Sequence, residues 1–132
     1  MAIHGSCLCG DVAFAFDADP TMMGHCHCSM CRKAHGAAFS TYVGAPAGAF
    51  RMLRGADAIG VHESSPGARR AFCPRCGSVV PSAQRGELAF ALAGLLDDDP
   101  GIRPEVHLFV GSKAPWYDIA DDLPRHDAYP PG

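Results

Sequence analysis

A mainly β single domain stapled by zinc is the fold class this sequence predicts, and three observations lead to it. Short strand-like runs recur along the 132 residues, separated by turn-forming Gly, Pro and Asp. The 15 glycines and 11 prolines imply many turns, so the core drawn from 48% hydrophobic residues is modest and metal can supplement it. Finally, Cys7-Leu-Cys9, Cys26-His-Cys28-Ser-Met-Cys31 and Cys73-Pro-Arg-Cys76 stand at metal-knuckle spacings. The length fits one domain spanning 1–132.

The elements follow in order. Val12 to Phe16 alternates large and small side chains, the pattern of a strand with one packed face. Asp17 to Pro20 is a turn, and Met22 to Cys26 is a second strand delivering the middle cysteines. Ser29 caps a short helix over Met30–His35, which Gly36 stops. Ala38 to Val43 reads as a strand and Pro46 to Phe50 as a turn or short helical step. Further strands are predicted at Ala58–Glu63, Arg69–Phe72, Ser78–Val80, Glu87–Leu92 and Glu105–Val110. Asp97-Asp98-Asp99, followed by Pro100-Gly101, is a solvated turn. The segment from Lys113 to Pro124 is an irregular tail folded back onto the sheet, with Trp116 as its core anchor, and Tyr129–Gly132 is a frayed end.

The cysteine arithmetic separates two sites. Cys7, Cys9, Cys73 and Cys76 sum to four thiolates, enough to close a tetrahedral structural zinc. Gly10 and Gly77 follow the two knuckles and permit the turn that points backbone amides at sulfur, while Arg75 offsets negative charge. Cys26, Cys28 and Cys31 leave a fourth position open for water or substrate, which is the coordination of a catalytic zinc. They sit at a strand-to-helix junction, where amide N–H groups favour thiolate. The alternative is a closed site with His25, His27 or His35 as fourth ligand. His35, one turn after Cys31, suits that role best, and His27, pointing away from its neighbours in an extended strand, suits it least. Arg32 and Lys33 offer charge for a substrate carboxylate, and Phe39 lines a narrow cavity near the metal. Arg69-Arg70 read as strand-surface charge, with a substrate carboxylate as the alternative, and His107 as structural.

Other classes fit poorly. A net charge of −3 without a basic run argues against nucleic acid and anionic membrane as partners. No apolar run approaches the ~20 residues that span a bilayer, and no secretory signal opens the sequence, so cytoplasmic location is expected. Seven cysteines is an odd number for a disulfide framework, and Cys73/Cys76 lacks the βαβ context of a redox pair. No Ser/His/Asp arrangement, phosphate loop or dinucleotide fingerprint occurs.

Three motifs taken together resemble a known family. Gly5-Ser-Cys-Leu-Cys-Gly-Asp-Val, Cys26-His-Cys-Ser-Met-Cys-Arg-Lys and Phe72-Cys-Pro-Arg-Cys-Gly-Ser are similar to the glutathione-dependent formaldehyde-activating enzymes, whose domain is shared with centromere protein V. The stretch from His107 to Pro124 resembles that family's C-terminal signature, so the likeness runs from residue 5 to about 124. It implies a β-tent (Mss4-like) fold with two zinc ions, a structural one on Cys7, Cys9, Cys73 and Cys76 and a catalytic one on Cys26, Cys28 and Cys31. It also implies carbon–sulfur bond formation, glutathione plus formaldehyde giving S-hydroxymethylglutathione, with a small thiol and a small aldehyde as partners. The alternative is a non-enzymatic, zinc-stabilised interaction module, as the fold shared with a nucleotide-exchange chaperone permits.

Overall fold

In the computed structural model, which describes residues 2–81, 83–85 and 87–129, the cysteine knuckles sit where three small sheets are joined. The first sheet contains β1 (Ile3–Ser6), β2 (Ala13–Phe16) and β5 (Phe50–Arg54), all antiparallel, with β2 in the centre. That position explains why all four residues of β2 are buried, where the alternation predicted a single packed face. Phe14 and Phe16 form an edge-on pair and both reach the ring of Phe50. Glycine is required at position 5, because a Cβ there would lie 2.2 Å from the Phe14 ring.

The second sheet runs β11-β3-β4-β10-β9, built from β3 (Met22–Cys26), β4 (Ser40–Pro46), β9 (Ala83–Arg85), β10 (Leu88–Leu92) and β11 (His107–Leu108). Its pairs are antiparallel except β11 on β3, which is parallel. Ile3, Phe14 and Phe16 of the first sheet meet Met23, Val43, Ala45, Ala89 and Ala91 of the second in the larger core. The third sheet, β6 (Gly60–Ser65), β7 (Ala68–Phe72) and β8 (Val79–Val80), is antiparallel. A smaller core of Cys7, Val12, Ala71, Cys73 and Val80 joins it to the first.

One α-helix, α1 (Ser29–His35), connects β3 to β4. Ser29 is its first residue and not its cap. Cys28 takes the N-cap position with extended backbone (φ −54°, ψ 139°) and makes no side-chain capping bond, while Gly36 closes the helix in the left-handed region as the sequence predicts. The expected step at 46–50 is the 3-10 turn Ala47–Ala49, after which β5 continues. The strand expected over 105–110 is limited to two residues. Phe109 turns it at φ 56° into another 3-10 turn, Val110–Ser112.

The tail does fold back. His107 bridges to Arg125 in parallel, its N–H donates to the Pro124 carbonyl, and the His126 N–H donates to the His107 carbonyl. Its anchor is not Trp116, which is 70% exposed. Lys113 instead draws the carbonyls of Ala114 and Tyr117 together, and Tyr117 packs on Phe39. Of the expected frayed end, Tyr129 stacks against Phe109, and Pro130–Gly132 lie outside the described residues. The acidic turn is more than solvated charge: Asp97 accepts from the Ser6 hydroxyl, Asp98 from the His4 backbone N–H, and Asp99 pairs with Arg103. No helix among the described residues is long and apolar enough to cross a membrane.

Candidate functional site

Cys7 and Cys9 reach the end of β1, Cys73 and Cys76 leave the end of β7, and their four sulfurs lie within 4.8 Å of one another. Zn–S bonds of ~2.3 Å give a tetrahedron with edges of ~3.8 Å. The Cys7–Cys9 and Cys9–Cys73 sulfurs are 3.7 and 3.8 Å apart, so this cluster fits one metal ion of that size. The knuckles form as their glycines predict: Gly10 at φ 84° donates to the Cys7 carbonyl, and Gly77 at φ 79° donates to the Cys73 carbonyl. The Val12 N–H donates to the Cys7 sulfur. Ser78 Oγ accepts from the Leu8 N–H and sits 3.3 Å from the Cys76 sulfur, tying the two knuckles together.

The electrostatics of this cluster call for a cation. Hydrogen bonds from Ser78 bring the Cys76 thiol down to about 5. At Cys9 the Asp11 amide favours thiolate, yet desolvation and the three neighbouring sulfurs outweigh it and push the thiol up to about 12. A divalent ion at the centre removes that repulsion. Arg75 does not sit on the sulfurs. It pairs with Asp11 at 3.2 Å on the surface beside them. All seven cysteines are free of disulfides.

The middle cluster is not a second copy of this arrangement. Cys26 at the end of β3 and Cys31 in the first turn of α1 approach to 3.5 Å. Cys28, held in the extended N-cap turn, does not complete a three-sulfur group with them among the described residues, so a single four-cysteine metal cluster stands where two sites were expected. The Cys31 thiol is lowered by its hydrogen bond with Cys26, against burial, and further by Ser40 and by Arg70, whose Nη1 lies 3.5 Å from the sulfur. Cys26 is raised as the thiol partner of that bond and by burial. The two thiols are thus shifted in opposite directions, Cys31 down and Cys26 up.

A cavity of about 310 Å³, at the small end of the range for small-molecule sites, is walled by His35, Phe39, Ser40, Thr41 and Ser78. Neither Cys26 nor Cys31 lines it, and its link to the pair is Ser40, whose side chain bonds the Cys31 sulfur. A smaller cavity of about 80 Å³ shares His35 and adds Arg69 and Arg70. The cations at the smaller cavity are thus Arg69 and Arg70, for which the sequence favoured strand-surface charge over a substrate carboxylate. Lys33 is exposed, while Arg32 is half-buried with its Nε enclosed and unpartnered. His35 joins no metal group among the described residues. Its Nε2 is buried without a partner, and burial lowers its pKa.

Beyond Cys31 lies a cluster the sequence did not signal. His27 is fully buried and His107 nearly so, with Nε2 of His27 2.8 Å from Nδ1 of His107. Nε2 of His107 is 3.0 Å from the carboxylate of Asp121. His25 bonds to the Thr41 hydroxyl and stacks on Phe39. Only the tail's return places residue 121 beside residue 107, so no local spacing could have revealed this cluster.

Comparison with known proteins adds context to this geometry. Residues 2–112 match the sequence profile of a family described as "Glutathione-dependent formaldehyde-activating enzyme". A protein of Halomonas elongata named "Putative glutathione-dependent formaldehyde-activating enzyme" is 33% identical over 130 residues, covering 90% of this chain and 82% of its own. Among solved structures, a crystal structure of a Rhodobacter sphaeroides protein is similar in fold, with a TM-score of 0.56 at 23% identity, over 76% of this chain and 91% of the other.

Proposed function

Because the chain belongs to the glutathione-dependent formaldehyde-activating enzyme family, we propose that it is a carbon–sulfur lyase-like enzyme that joins a small thiol of the glutathione kind to a small aldehyde such as formaldehyde, or releases it. In the forward direction the substrate sulfur attacks the carbonyl carbon, the C–S bond forms, and the carbonyl π pair moves to oxygen, which takes up a proton. Release runs the same steps backwards. Cys26 and Cys31, joined by Cys28 once its turn closes on them, would hold a zinc, and such an ion would lower the pKa of a substrate thiol. The four-cysteine cluster takes a second zinc as structural staple, making two per chain.

The remaining parts are this chain's own. The larger cavity has room for a small thiol, with Phe39 as its apolar wall and Ser40 and Thr41 as its polar one. Arg70 and Ser40 hold negative charge on the Cys31 sulfur. Arg69 and Arg70 line the smaller cavity and would meet a substrate carboxylate there. Lys33 offers longer-range charge. The observation that carries the reading is the family match over residues 2–112, with Cys26 and Cys31 brought to 3.5 Å at the β3–α1 junction.

The test is the rate at which zinc-loaded protein forms S-hydroxymethylglutathione from glutathione and ¹³C-formaldehyde, followed by NMR exchange spectroscopy. A rate above the spontaneous one, lost in Cys31→Ser, supports the reading. No acceleration with both metals present ends it. A second reading, a zinc-stabilised interaction module, draws on the exposed Leu8 and Trp116. It predicts no amide shift around 26–40 when glutathione is titrated.

A further inference from the structure

The larger and the smaller cavity lie on either side of a shared wall. Among the described residues that wall is His35, Val79 and Leu92, which line both. Beyond it the chemistry differs, with Phe39, Ser40 and Thr41 on the larger side and Arg69 and Arg70 on the smaller. At about 80 Å³ the smaller cavity falls below the ~300 Å³ at which small-molecule sites begin, so by itself it is no ligand site. Both sides nevertheless converge on one atom. The Cys31 sulfur is bonded by Ser40, from the larger cavity, and at 3.5 Å by Nη1 of Arg70, from the smaller.

The three wall residues are not held alike. Val79 and Leu92 belong to paired strands, opposite Phe72 and Tyr42, and their apolar side chains gain nothing by turning into water. His35 is the last residue of α1. His25, His27 and His107 each have a hydrogen-bond partner, whereas Nε2 of His35 is buried with none. An enclosed polar atom without a partner carries a cost that it sheds on reaching water or a ligand. No hydrogen bond at that nitrogen holds the ring in place. There is also room to turn: a Cβ at Gly36 would meet nothing within 4 Å, and Ala34 and Ala37 are exposed. Rotation about χ1 between staggered positions is all the movement requires.

We propose that His35 is a movable partition that sets the length of ligand the site accepts. With the ring in place, the larger cavity takes a short thiol. With the ring turned outward the two cavities join, and the site takes a longer thiol whose carboxylate reaches Arg69 and Arg70. The ligand class that fits the joined site is a thiol with a carboxylate several atoms away from its sulfur. Its sulfur end rests on the function proposed above, and the partition itself does not.

The test is titration of zinc-loaded, ¹⁵N-labelled protein with mercaptoethanol, with mercaptohexanoate, whose sulfur and carboxylate stand at opposite ends of its chain, and with hexanoate. Amide shifts are followed at Phe39–Thr41 and at Arg69–Ala71. In the wild type, mercaptoethanol is expected to shift the first segment alone, and mercaptohexanoate to shift both with one shared Kd. His35→Phe keeps a ring in the wall without the unpartnered nitrogen, so affinity for the long thiol falls about 10-fold while the short thiol binds as before. His35→Ala removes the wall, and the long thiol binds at least as tightly as to the wild type. The proposal is overturned if affinities for the two thiols change together, if neither variant changes affinity for the long one, or if His35→Ala weakens it. Hexanoate keeps the partition apart from the thiol reading. If mercaptohexanoate binds no more tightly than hexanoate and both shift the two segments, the thiol reading fails and the partition stands. If mercaptoethanol shifts Phe39–Thr41 and neither carboxylate reaches Arg69–Ala71, the partition fails and the thiol reading stands. No shift with any of the three overturns both.

Discussion

Two arginines next to each other in sequence, Arg69 and Arg70, look interchangeable as surface charge, yet Arg70 reaches the Cys31 sulfur and donates to the Ser64 hydroxyl through Nε. With Arg70 present the Cys31 thiol ionises at lower pH, so thiolate is available at neutrality. Without it the ionisation moves up. Arg70→Ala is therefore expected to shift the pH profile of Cys31 alkylation to higher pH, measured by mass spectrometry on protein freed of metal at the middle cluster. An unmoved profile would mean that Ser40 and Cys26 alone set the charge. At the same scale, Trp116→Ala should change stability by less than about 0.5 kcal/mol in urea unfolding, because a side chain 70% exposed has little burial to lose. Phe14→Ala, at a fully buried ring, should cost about 3–5 kcal/mol. The sequence misled on Trp116 because the largest apolar residue in a tail is the natural anchor. Here Lys113 instead turns the backbone so that Tyr117 faces inward.

Among elements, the sequence was most legible where periodicity or punctuation was strong. The middle cysteines fall at the end of β3, Gly36 stops α1, and the strand predicted at 87–92 appears as β10. β1 and β5 were missed, and both depend on partners far along the chain. Four residues carrying His and Gly, or Phe-Arg-Met-Leu-Arg, show no alternation of their own and become strands by pairing with the two sides of β2. That central position makes β2 sensitive to its neighbours. Gly5→Ala places a methyl in the ring of Phe14, which is fully buried and cannot turn aside. It is expected to destabilise by about 1–3 kcal/mol, as overpacking does, in chemical denaturation with the metal retained. A neutral result would show that β1 can lift away from β2 without loss.

Taken whole, the molecule divides into a larger core between two sheets and a smaller one built around Cys7 and Cys73. The four-cysteine cluster belongs to that smaller core, so a metal there holds the third sheet to the first. Chelation, or Cys73→Ser, is expected to lower Tm substantially, whereas Cys28→Ser, at a half-buried turn outside that core, should leave Tm close to the wild type. Differential scanning calorimetry with and without chelator checks both. Equal losses at the two positions would contradict the division of labour. This architecture was readable from cysteine spacing because knuckle geometry is local. The histidine–aspartate cluster was not, because residues 27, 107 and 121 share no local pattern.

The parallel pairing of β11 on β3 also bears on the order in which the chain matures. A chain emerging N-terminus first has released all seven cysteines once residue 76 is out, and the knuckles at 7–9 and 73–76 can already meet. The outer edge of β3 stays bare until residues 107–108 arrive, and His107 lacks its carboxylate until residue 121 follows. At typical synthesis rates that interval is on the order of seconds. During it β3, which ends in Cys26, has only β4 as a partner, so the middle cysteines wait on the tail for their final setting.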